Sequence, residues 1–263
     1  MIKYDYDNKL VLVLASSKGI GYELAKSFAI NNAHVAICSR SIKNLSQAKK
    51  KLKIINRHNK IKYFKTDLSK KGSTKKLYLS VKKSFKKDID ILINNSGGPA
   101  AKEIIKTNEK DWNYSIDNNL MSFIKMSLEV IPSMKKKKWG RIINLTSSTA
   151  KEPAQKMVLS NVTRAGVLAF SKTLSKEIKT DGVTVNSILT GSVLTERLLS
   201  LFKKNKKMSL KNSLRKLSAT IPVQHIADPN EFVQLVLFLC SNEARYVNGV
   251  AIPVDGGLSN TIF

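Results

Sequence analysis

Short apolar runs alternate with longer amphipathic segments along the whole chain. The runs of strand length cover residues 10–15, 35–38, 63–66, 89–93, 141–145, 183–188 and 250–254, of which 63–66 is the weakest. Most of these runs are continuously apolar, which is typical of parallel strands that are covered on both faces. The pattern predicts an α/β fold with one doubly wound parallel sheet of about seven strands and helices on both faces.

Helices are predicted between these strands from the spacing of apolar residues. Residues 20–29 place their apolar side chains on one helical face, and residues 112–134 and 159–178 form two longer helical segments. At residues 228–229 an Asp precedes a Pro, a combination that caps a helix and fills its first position. A helix is therefore predicted to begin there and to run through residue 239. The order of the strands does not follow from this pattern.

The composition fits a folded domain without a membrane span. Of the 263 residues, 42% are hydrophobic and 25% are charged, which supplies enough apolar material for a continuous core. The sequence has no internal repeat, no linker and no apolar run of about 18 residues, so we predict one domain over residues 1–263 and no membrane partner. The N-terminus lacks the apolar stretch of a signal peptide. The two cysteines, Cys38 and Cys240, lie in apolar runs, which favours a cytoplasmic location.

The net charge is strongly positive. The chain carries 46 Lys and Arg against 19 Asp and Glu, a formal charge of +27. One interpretation is attraction to an acidic partner such as nucleic acid, an anionic membrane or an acidic carrier protein. The lysines, however, lie in short clusters throughout the chain, at residues 49–53, 82–87, 135–138 and 203–207, without interleaved aromatic residues or a nucleic-acid motif. This distribution favours solvated surface lysines over a nucleic-acid interface.

A glycine-containing loop follows the first apolar run. Residues 14–21 read Leu-Ala-Ser-Ser-Lys-Gly-Ile-Gly and join the first strand to the first helix. Glycines at Gly19 and Gly21 let the backbone turn tightly and approach a pyrophosphate, whose charge the free N–H groups at the helix start receive. Gly-x-Gly alone is a common pattern, but its place between a strand and an amphipathic helix predicts a dinucleotide site.

From this loop onward the sequence resembles the short-chain dehydrogenase/reductase family, and within it members such as the 3-oxoacyl-[acyl-carrier-protein] reductases. The family loop reads Thr-Gly-x-x-x-Gly-x-Gly, and residues 14–15 replace its Thr-Gly with Leu-Ala. Asn-Asn-Ser-Gly at residues 94–97 is similar to the family's Asn-Asn-Ala-Gly. Residues 186–191 are similar to the Pro-Gly segment over the nicotinamide, with Thr190 in place of the proline, and residues 255–257 to the C-terminal Asp-Gly-Gly. The resemblance covers nearly the whole chain and implies a Rossmann-type sheet.

The resemblance also implies which residues bind the cofactor. Asp67 and Leu68 correspond to the adenine contact, and Arg164 to the residue that holds the nicotinamide ribose. The implied cofactor-binding residues are Ser16, Ser17, Lys18, Gly19, Ile20, Gly21, Arg40, Asp67, Leu68, Asn95, Ser96, Gly97, Arg164, Gly191, Val193 and Thr195.

Charge predicts which dinucleotide is bound. Proteins that select NAD usually end the second strand with Asp or Glu, whereas an Arg accommodates the 2′-phosphate of NADP. Here the second strand ends at Arg40 without an acid, and Lys18 adds a second cation in the glycine loop. A guanidinium binds a phosphate bidentately, and a lysine adds a point charge. We predict a preference for NADP(H), with NAD(H) as the alternative.

The catalytic set departs from the family pattern. The resemblance implies that Ser147 holds the substrate oxygen and that Asn119 belongs to a proton relay. Thirteen and seventeen residues after Ser147, where the family has Tyr and Lys, this chain has Ser160 and Arg164. No tyrosine occurs in residues 115–245, so a shift of the motif does not restore it. An aliphatic hydroxyl is a far weaker general acid than a phenol, and Arg is a planar fork instead of a compact ammonium.

Three interpretations follow from this catalytic set. The chain is a reductase whose proton comes from water or from a relay through Ser147, Ser160 and Asn119, or it belongs to a variant subgroup with a remodelled site. The third is a cofactor-binding pseudoenzyme that acts as a partner or sensor. The paired replacement of Tyr and Lys, with the cofactor loop retained, favours an oxidoreductase acting on a carbonyl or alcohol substrate, with a 3-oxoacyl thioester as one candidate.

The remaining expectations concern the lid, metals and assembly. Residues 194–221 lie where the family has its variable substrate lid, and their basic run at 203–207 suits an acidic acyl thioester or is simply solvated. The three histidines have no metal-ligand spacing, so no metal site is predicted. The resemblance implies a homo-oligomer, a dimer or tetramer, formed through residues 112–134, residues 159–178 and the C-terminal strand.

Overall fold

A computed structural model describes residues 4–56, 58, 60–179, 182–203 and 208–262. Within them one sheet contains seven strands, and every neighbouring pair is parallel. The strands are β1 (Leu10–Val13), β2 (His34–Ser39), β3 (Ile61–Lys65), β4 (Ile91–Asn94), β5 (Gly140–Leu145), β6 (Val183–Thr190) and β7 (Ala251–Val254). Their order across the sheet is β3-β2-β1-β4-β5-β6-β7.

Helices connect the strands and cover both faces of the sheet. They are α1 (Gly19–Ile30), α2 (Ile42–Ile55), α3 (Ser73–Phe85), α4 (Glu109–Ile116), α5 (Ser122–Lys137), α6 (Val158–Glu177), α7 (Glu196–Lys203), α8 (Leu210–Thr220) and α9 (Pro229–Cys240). The predicted doubly wound α/β sheet is confirmed. Helices α2 and α3 were not delimited from the sequence, because lysines surround their few buried apolar positions.

The strands separate two hydrophobic cores. Val11 and Val13 of β1 pack in the core that α1, α2 and α9 cover, whereas Leu10 and Leu12 pack in the core under α3, α5 and α6. Successive strand residues point to opposite faces, so a strand covered on both sides needs apolar residues at every position. This requirement explains the continuously apolar runs in the sequence.

The strand order creates a crevice beside the carboxyl end of β1. The chain passes from β1 to β2 on one side, and β4 pairs with β1 on the other. In open α/β sheets, ligands bind where the strand order reverses in this way. The loops that follow β1 and β4 therefore border the same crevice.

Two predicted boundaries differ from the structure in ways that matter for the site. The helix predicted at residues 112–134 is a longer helical run, interrupted by a π-helical turn at Asp117–Met121. The fourth strand begins two residues later than predicted, at Ile91, and the carboxylate of the preceding Asp90 accepts a hydrogen bond from the backbone N–H of Leu10. By contrast, the start of α9 is confirmed, with Asp228 as its N-cap.

The predicted lid forms two helices, α7 and α8, that follow β6. The side chain of Lys203 and residues 204–207, which make up the basic run of the lid, lie outside the described residues. No helix in the described part of the chain combines the length and the hydropathy that a membrane span needs.

Candidate active site

The loop after β1 keeps a glycine-like backbone without the glycine. Ala15, which replaces the family glycine, has a φ of +46°, a left-handed conformation that costs an L-residue about 1–2 kcal/mol. The neighbouring Ser16 fixes this turn, because its hydroxyl donates to the Val13 carbonyl at 2.6 Å and accepts from the Cys38 N–H at 3.1 Å. These hydrogen bonds hold Ala15 in a backbone conformation that a glycine adopts without this cost.

Gly21 is packed too tightly for any side chain. A Cβ at this position would lie 2.7 Å from the Ala15 carbonyl oxygen and 2.7 Å from the Asn95 amide nitrogen. Asn95 in turn donates to the carbonyl oxygens of Leu14 and Ala15, each at 3.2 Å. The loop after β4 thus holds the loop after β1 in place.

The start of α1 offers backbone N–H groups to a ligand. Its N-cap, Lys18, makes no capping hydrogen bond, and its first turn contains no acidic residue. Gly19 has a φ of +61°, and the Thr195 side chain lies 3.8 Å from the position of its missing Cβ. Ser17 is half-buried, and Ile20 packs against the core. Uncapped N–H groups at the positive end of a helix dipole are suited to a phosphate.

The two predicted 2′-phosphate ligands are held by different partners. Arg40, which is exposed, donates to the Tyr114 hydroxyl at 3.1 Å. Lys18 instead forms an exposed ion pair with Glu196 of the lid, with the atoms 2.6 Å apart. A phosphate would therefore meet Arg40 directly, whereas Lys18 first has to exchange one anion for another.

Beyond β3, Asp67 shapes the loop with its own carboxylate. One oxygen accepts hydrogen bonds from the backbone N–H and the hydroxyl of Ser69, at 3.1 and 2.8 Å. The side chain of Leu68 is buried in the core, which leaves its backbone for any contact with a ligand.

Ser96 joins the two loops to the catalytic helices. Its hydroxyl accepts hydrogen bonds from Asn119 Nδ2 at 2.7 Å and from Arg164 Nη2 at 3.3 Å. Asn119 also donates to the Gly97 carbonyl oxygen at 2.9 Å. An alanine at position 96, as in the family motif, offers no side-chain acceptor to either residue. Three of the residues identified from the sequence therefore form one hydrogen-bonded cluster.

Asn119 occupies the π-helical turn between α4 and α5 and is fully buried. A π turn inserts one extra residue into a helix and is frequent at functional sites. The sequence pattern of an amphipathic helix does not reveal such a turn, although it places Asn119 on the correct element.

Arg164 is a buried cation without an anionic partner in the described residues. It is 6% exposed, and its Nη1 donates to the Leu145 carbonyl oxygen at 2.8 Å. Burial, together with a smaller effect of the positive charge of Arg197, lowers the pKa of Arg164 to about 10. At neutral pH the guanidinium is still charged, so this end of β5 carries a fixed positive charge.

The two candidate hydroxyls follow β5 and begin α6. The Ser147 hydroxyl is half-buried and accepts from the backbone N–H of Thr149 at 3.3 Å and from its hydroxyl at 3.1 Å. Ser160 is 5% exposed and lies in the first turn of α6, one helical turn before Arg164. Among the described residues no hydrogen bond joins Ser147 to Ser160, so a relay between them needs a bridging water or substrate.

Residues after β6 close the crevice from the lid side. Gly191 touches Asp255, and Val193 is buried next to Ala227, with which it forms an isolated β-bridge. Thr195 accepts a hydrogen bond from the backbone N–H of Leu198 and so supports the start of α7. The lid therefore begins directly over the glycine loop.

Arg197 is the functional candidate that the sequence analysis did not single out. Its Nη2 donates to the Pro99 carbonyl oxygen at 2.9 Å, and its guanidinium lies against Gly98. The available signal was its rarity, because only seven arginines occur among the 46 basic residues. In such a lysine-rich chain, an arginine at the start of the lid indicates a need for the planar guanidinium.

The residues present fit a nicotinamide dinucleotide. The start of α1 offers uncapped N–H groups, Gly97 borders open space where a Cβ would meet nothing within 4 Å, and Arg40 stands where β2 ends without an acid. These features lie along the carboxyl edge of β1, β2 and β4, as an extended dinucleotide requires.

Comparisons with known sequences agree with this geometry. A family profile described as enoyl-(acyl carrier protein) reductase matches residues 14–259. The 3-oxoacyl-[acyl-carrier-protein] reductase of Haemophilus influenzae is 30% identical over 250 residues, which cover 95% of this chain and 98% of that protein. An uncharacterized oxidoreductase of Bacillus subtilis is 28% identical over 261 residues, 97% of each chain.

A solved structure extends the similarity to three dimensions. L-sorbose reductase from Gluconobacter frateurii, complexed with NADPH and L-sorbose, superposes with a TM-score of 0.93 at 28% identity. The match covers 99% of this chain and 100% of that one. By sequence, sheet order and site geometry together, the chain belongs to the short-chain dehydrogenase/reductase family of oxidoreductases.

Proposed function

We propose that this protein is an NADP(H)-dependent oxidoreductase that transfers a hydride between the nicotinamide and a carbonyl or alcohol substrate. The observation that carries the proposal is the uncapped start of α1 at the sheet's switch point, beside Arg40 and without an acid at the end of β2. The L-sorbose reductase, which superposes closely, is named as a complex with NADPH, and this supports the choice of NADP(H) over NAD(H).

Each polar residue of the site has a proposed role. The bound dinucleotide supplies or accepts the hydride. Arg164 donates to the ribose hydroxyls and holds positive charge near the substrate oxygen, where an alkoxide develops during reduction. Ser147 donates a hydrogen bond to that oxygen. Asn119 and Ser96 keep the guanidinium of Arg164 in position through the hydrogen bonds already described.

The proton reaches the substrate oxygen from water by way of Ser160. The Ser160 hydroxyl makes no hydrogen bond to another described residue, so it is available to water and substrate. Because an aliphatic hydroxyl is a weak acid, it passes on a proton from water instead of supplying its own. We therefore expect slower turnover than a tyrosine would give, or a substrate with an activated carbonyl. The pseudoenzyme alternative gains no support from the relatives.

The relatives suggest a substrate for the first screen. The Haemophilus influenzae relative is named for reduction of a 3-oxoacyl group on acyl carrier protein, so a 3-oxoacyl thioester is one candidate.

We further propose that residues 1–263 form one domain with the lid at 194–221, and that the protein is a cytoplasmic homo-oligomer. Its two free cysteines are buried, and burial raises the pKa of Cys38 to about 12, which suits a compartment without disulfide formation.

Calorimetric titration of the purified protein with NADPH and with NADH tests the proposal. We expect micromolar binding of NADPH and weaker binding of NADH, followed by NADPH oxidation with at least one carbonyl compound. Acetoacetyl-coenzyme A is the first thioester to assay. If neither dinucleotide binds, the proposed function is wrong.

A further inference from the structure

Two arginines donate hydrogen bonds to the loop that follows β4, Arg164 to the Ser96 hydroxyl and Arg197 to the Pro99 carbonyl oxygen. Arg164 and Arg197 are close enough for the charge of Arg197 to affect Arg164. Neither forms an ion pair with any described residue. Arg164 is buried whereas Arg197 is exposed, and two like charges held near one loop repel each other unless an anion lies close to both.

The protein itself leaves most of these donors unused. A guanidinium has five N–H donors, and Arg197 spends one of its nitrogens on the Pro99 carbonyl oxygen. Arg164 uses two nitrogens, for Leu145 and Ser96. The nearest acid along the chain, Glu196, pairs with Lys18. The structure thus fixes the two guanidinium groups and leaves some of their N–H donors for a ligand.

The position of Arg197 points to the substrate instead of the cofactor. Its guanidinium lies against Gly98 and Pro99, beyond the Gly97 that borders the predicted dinucleotide path. The groups proposed to bind the cofactor phosphates are the start of α1 and Arg40, and neither belongs to the lid that carries Arg197. A planar carboxylate pairs side-on with a planar guanidinium through two parallel hydrogen bonds.

We propose that the carbonyl substrate itself carries a carboxylate, and that Arg197 binds this group while Arg164 adds its positive charge to the same site. The inference rests on the proposed function and narrows its substrate: it ranks an oxo acid ahead of an uncharged carbonyl compound or a 3-oxoacyl thioester. Arg197 is accordingly a specificity-determining residue on the lid.

Paired substrates test the inference. NADPH oxidation is measured with 2-oxobutanoate, acetoacetate and levulinate, each beside its methyl ester, and with acetoacetyl-coenzyme A. Since hydrogen bonds to charged groups contribute about 1.5–3 kcal/mol, we expect at least one acid to exceed its ester about 10- to 100-fold in kcat/KM. Arg197→Met is expected to remove this advantage by raising the KM of the acid far more than the KM of its ester. Arg197→Lys keeps the positive charge but not the planar guanidinium, and it is expected to retain part of the advantage of the acid over its ester.

Arg215→Met is the matched control, because it removes the same charge from an exposed position on α8 of the lid. It is expected to leave acid and ester rates as they are. Esters or the thioester reduced as efficiently as the acids would overturn the inference. So would an Arg197→Met variant that loses acid and ester activity equally, or one that binds NADPH more weakly.

A second measurement separates this inference from the proposed function. Calorimetric binding of the same acids and of their methyl esters is measured with wild type and Arg197→Met, both alone and with NADP⁺. If no carbonyl is reduced but an acid binds in an Arg197-dependent manner, the proposed hydride transfer fails and the carboxylate site stands. If NADPH oxidation proceeds but no acid binds better than its ester, the proposed function stands and the carboxylate site is wrong.

Discussion

At the scale of single residues, the candidate active site differs from the family pattern by a connected set of changes. Arg164 replaces a lysine and Ser96 replaces an alanine, and these two side chains are hydrogen-bonded to each other. A guanidinium is larger than an ammonium and needs more acceptors to be buried. The Ser96 hydroxyl and the Leu145 carbonyl provide them, so the replacement at 164 is accommodated by its surroundings.

Arg40→Asp tests the cofactor preference. The carboxylate would repel a 2′-phosphate and accept a hydrogen bond from a ribose 2′-hydroxyl. Because one phosphate contact by Arg contributes about 1.5–3 kcal/mol, we expect NADPH affinity to fall about 10- to 100-fold and NADH affinity to rise in calorimetry. Arg245→Asp makes the same charge change at another exposed arginine and should alter neither. An unchanged preference in Arg40→Asp contradicts our account of cofactor choice.

Ser147→Ala tests the substrate contact. Loss of a hydrogen bond to the developing alkoxide is expected to lower kcat by about 100-fold or more, with NADPH binding unchanged by calorimetry. Ser148→Ala removes the neighbouring hydroxyl and serves as the control in the same steady-state assay. Normal turnover in Ser147→Ala would show that another group holds the substrate oxygen.

At the scale of the elements, the start of α6 carries the two replaced catalytic positions on one helical face. The double variant Ser160→Tyr with Arg164→Lys recreates the usual pair. We expect its kcat for carbonyl reduction to rise, because a phenol near a cation is a far better proton donor than an aliphatic hydroxyl. The pH profile of kcat should then show a new ionisation. A double variant with no gain in rate indicates a pocket shaped for a different substrate pose.

The glycine loop and the loop after β4 form the second functional element. Gly21→Ala would force a methyl group onto Ala15 and Asn95, whereas a Cβ at Gly97 meets nothing within 4 Å. We therefore expect Gly21→Ala to lower the free energy of unfolding by about 1–3 kcal/mol through overpacking, which is seen as a lower melting temperature. The same variant is expected to bind NADPH more weakly. Gly97→Ala should lower NADPH affinity alone, because only the cofactor approaches it. An equal decrease in melting temperature in both variants would contradict the distinction between a packing role for Gly21 and a cofactor-contact role for Gly97.

At the scale of the whole molecule, the homo-oligomer stays a prediction from the family resemblance, and the two helices it names carry exposed apolar side chains. Leu128 of α5 is 54% exposed and Val162 of α6 is 51% exposed. These helices include the segments through which the family resemblance implies assembly. If copies associate through these helices, such apolar side chains become buried between the subunits.

Light scattering after size exclusion tests the assembly. We expect a mass near two or four times the chain mass of 29.3 kDa, and a shift toward the monomer in Leu128→Glu with Val162→Glu, because the carboxylates are costly to bury between subunits. Leu79→Glu on α3, where the wild-type leucine is 52% exposed, is the control and should keep the wild-type mass. A monomeric wild type contradicts the prediction.

The sequence by itself determined the layered α/β fold and the elements that carry the site. Strands covered on both faces must be apolar at nearly every position, and a phosphate-binding turn needs glycine, so both leave a local pattern in the chain. The family resemblance located Ser160 and Arg164, and their spacing of four residues places them on one helical face. Helices α2 and α3 escaped delimitation because their apolar positions are few and widely spaced among lysines.

Only the tertiary structure decided which of these residues meet. The pairing of Lys18 with Glu196, the Ser96 cluster and the binding of Arg164 and Arg197 to one loop join segments that are distant in sequence. The π turn that carries Asn119 forms within one helical run, where periodicity does not reveal it. The periodicity of apolar residues indicates which face of an element is buried, but it does not give the distance between two elements. That distance follows from the packing of β1, β4 and β5 side by side, which brings the ends of three separate strands to one crevice.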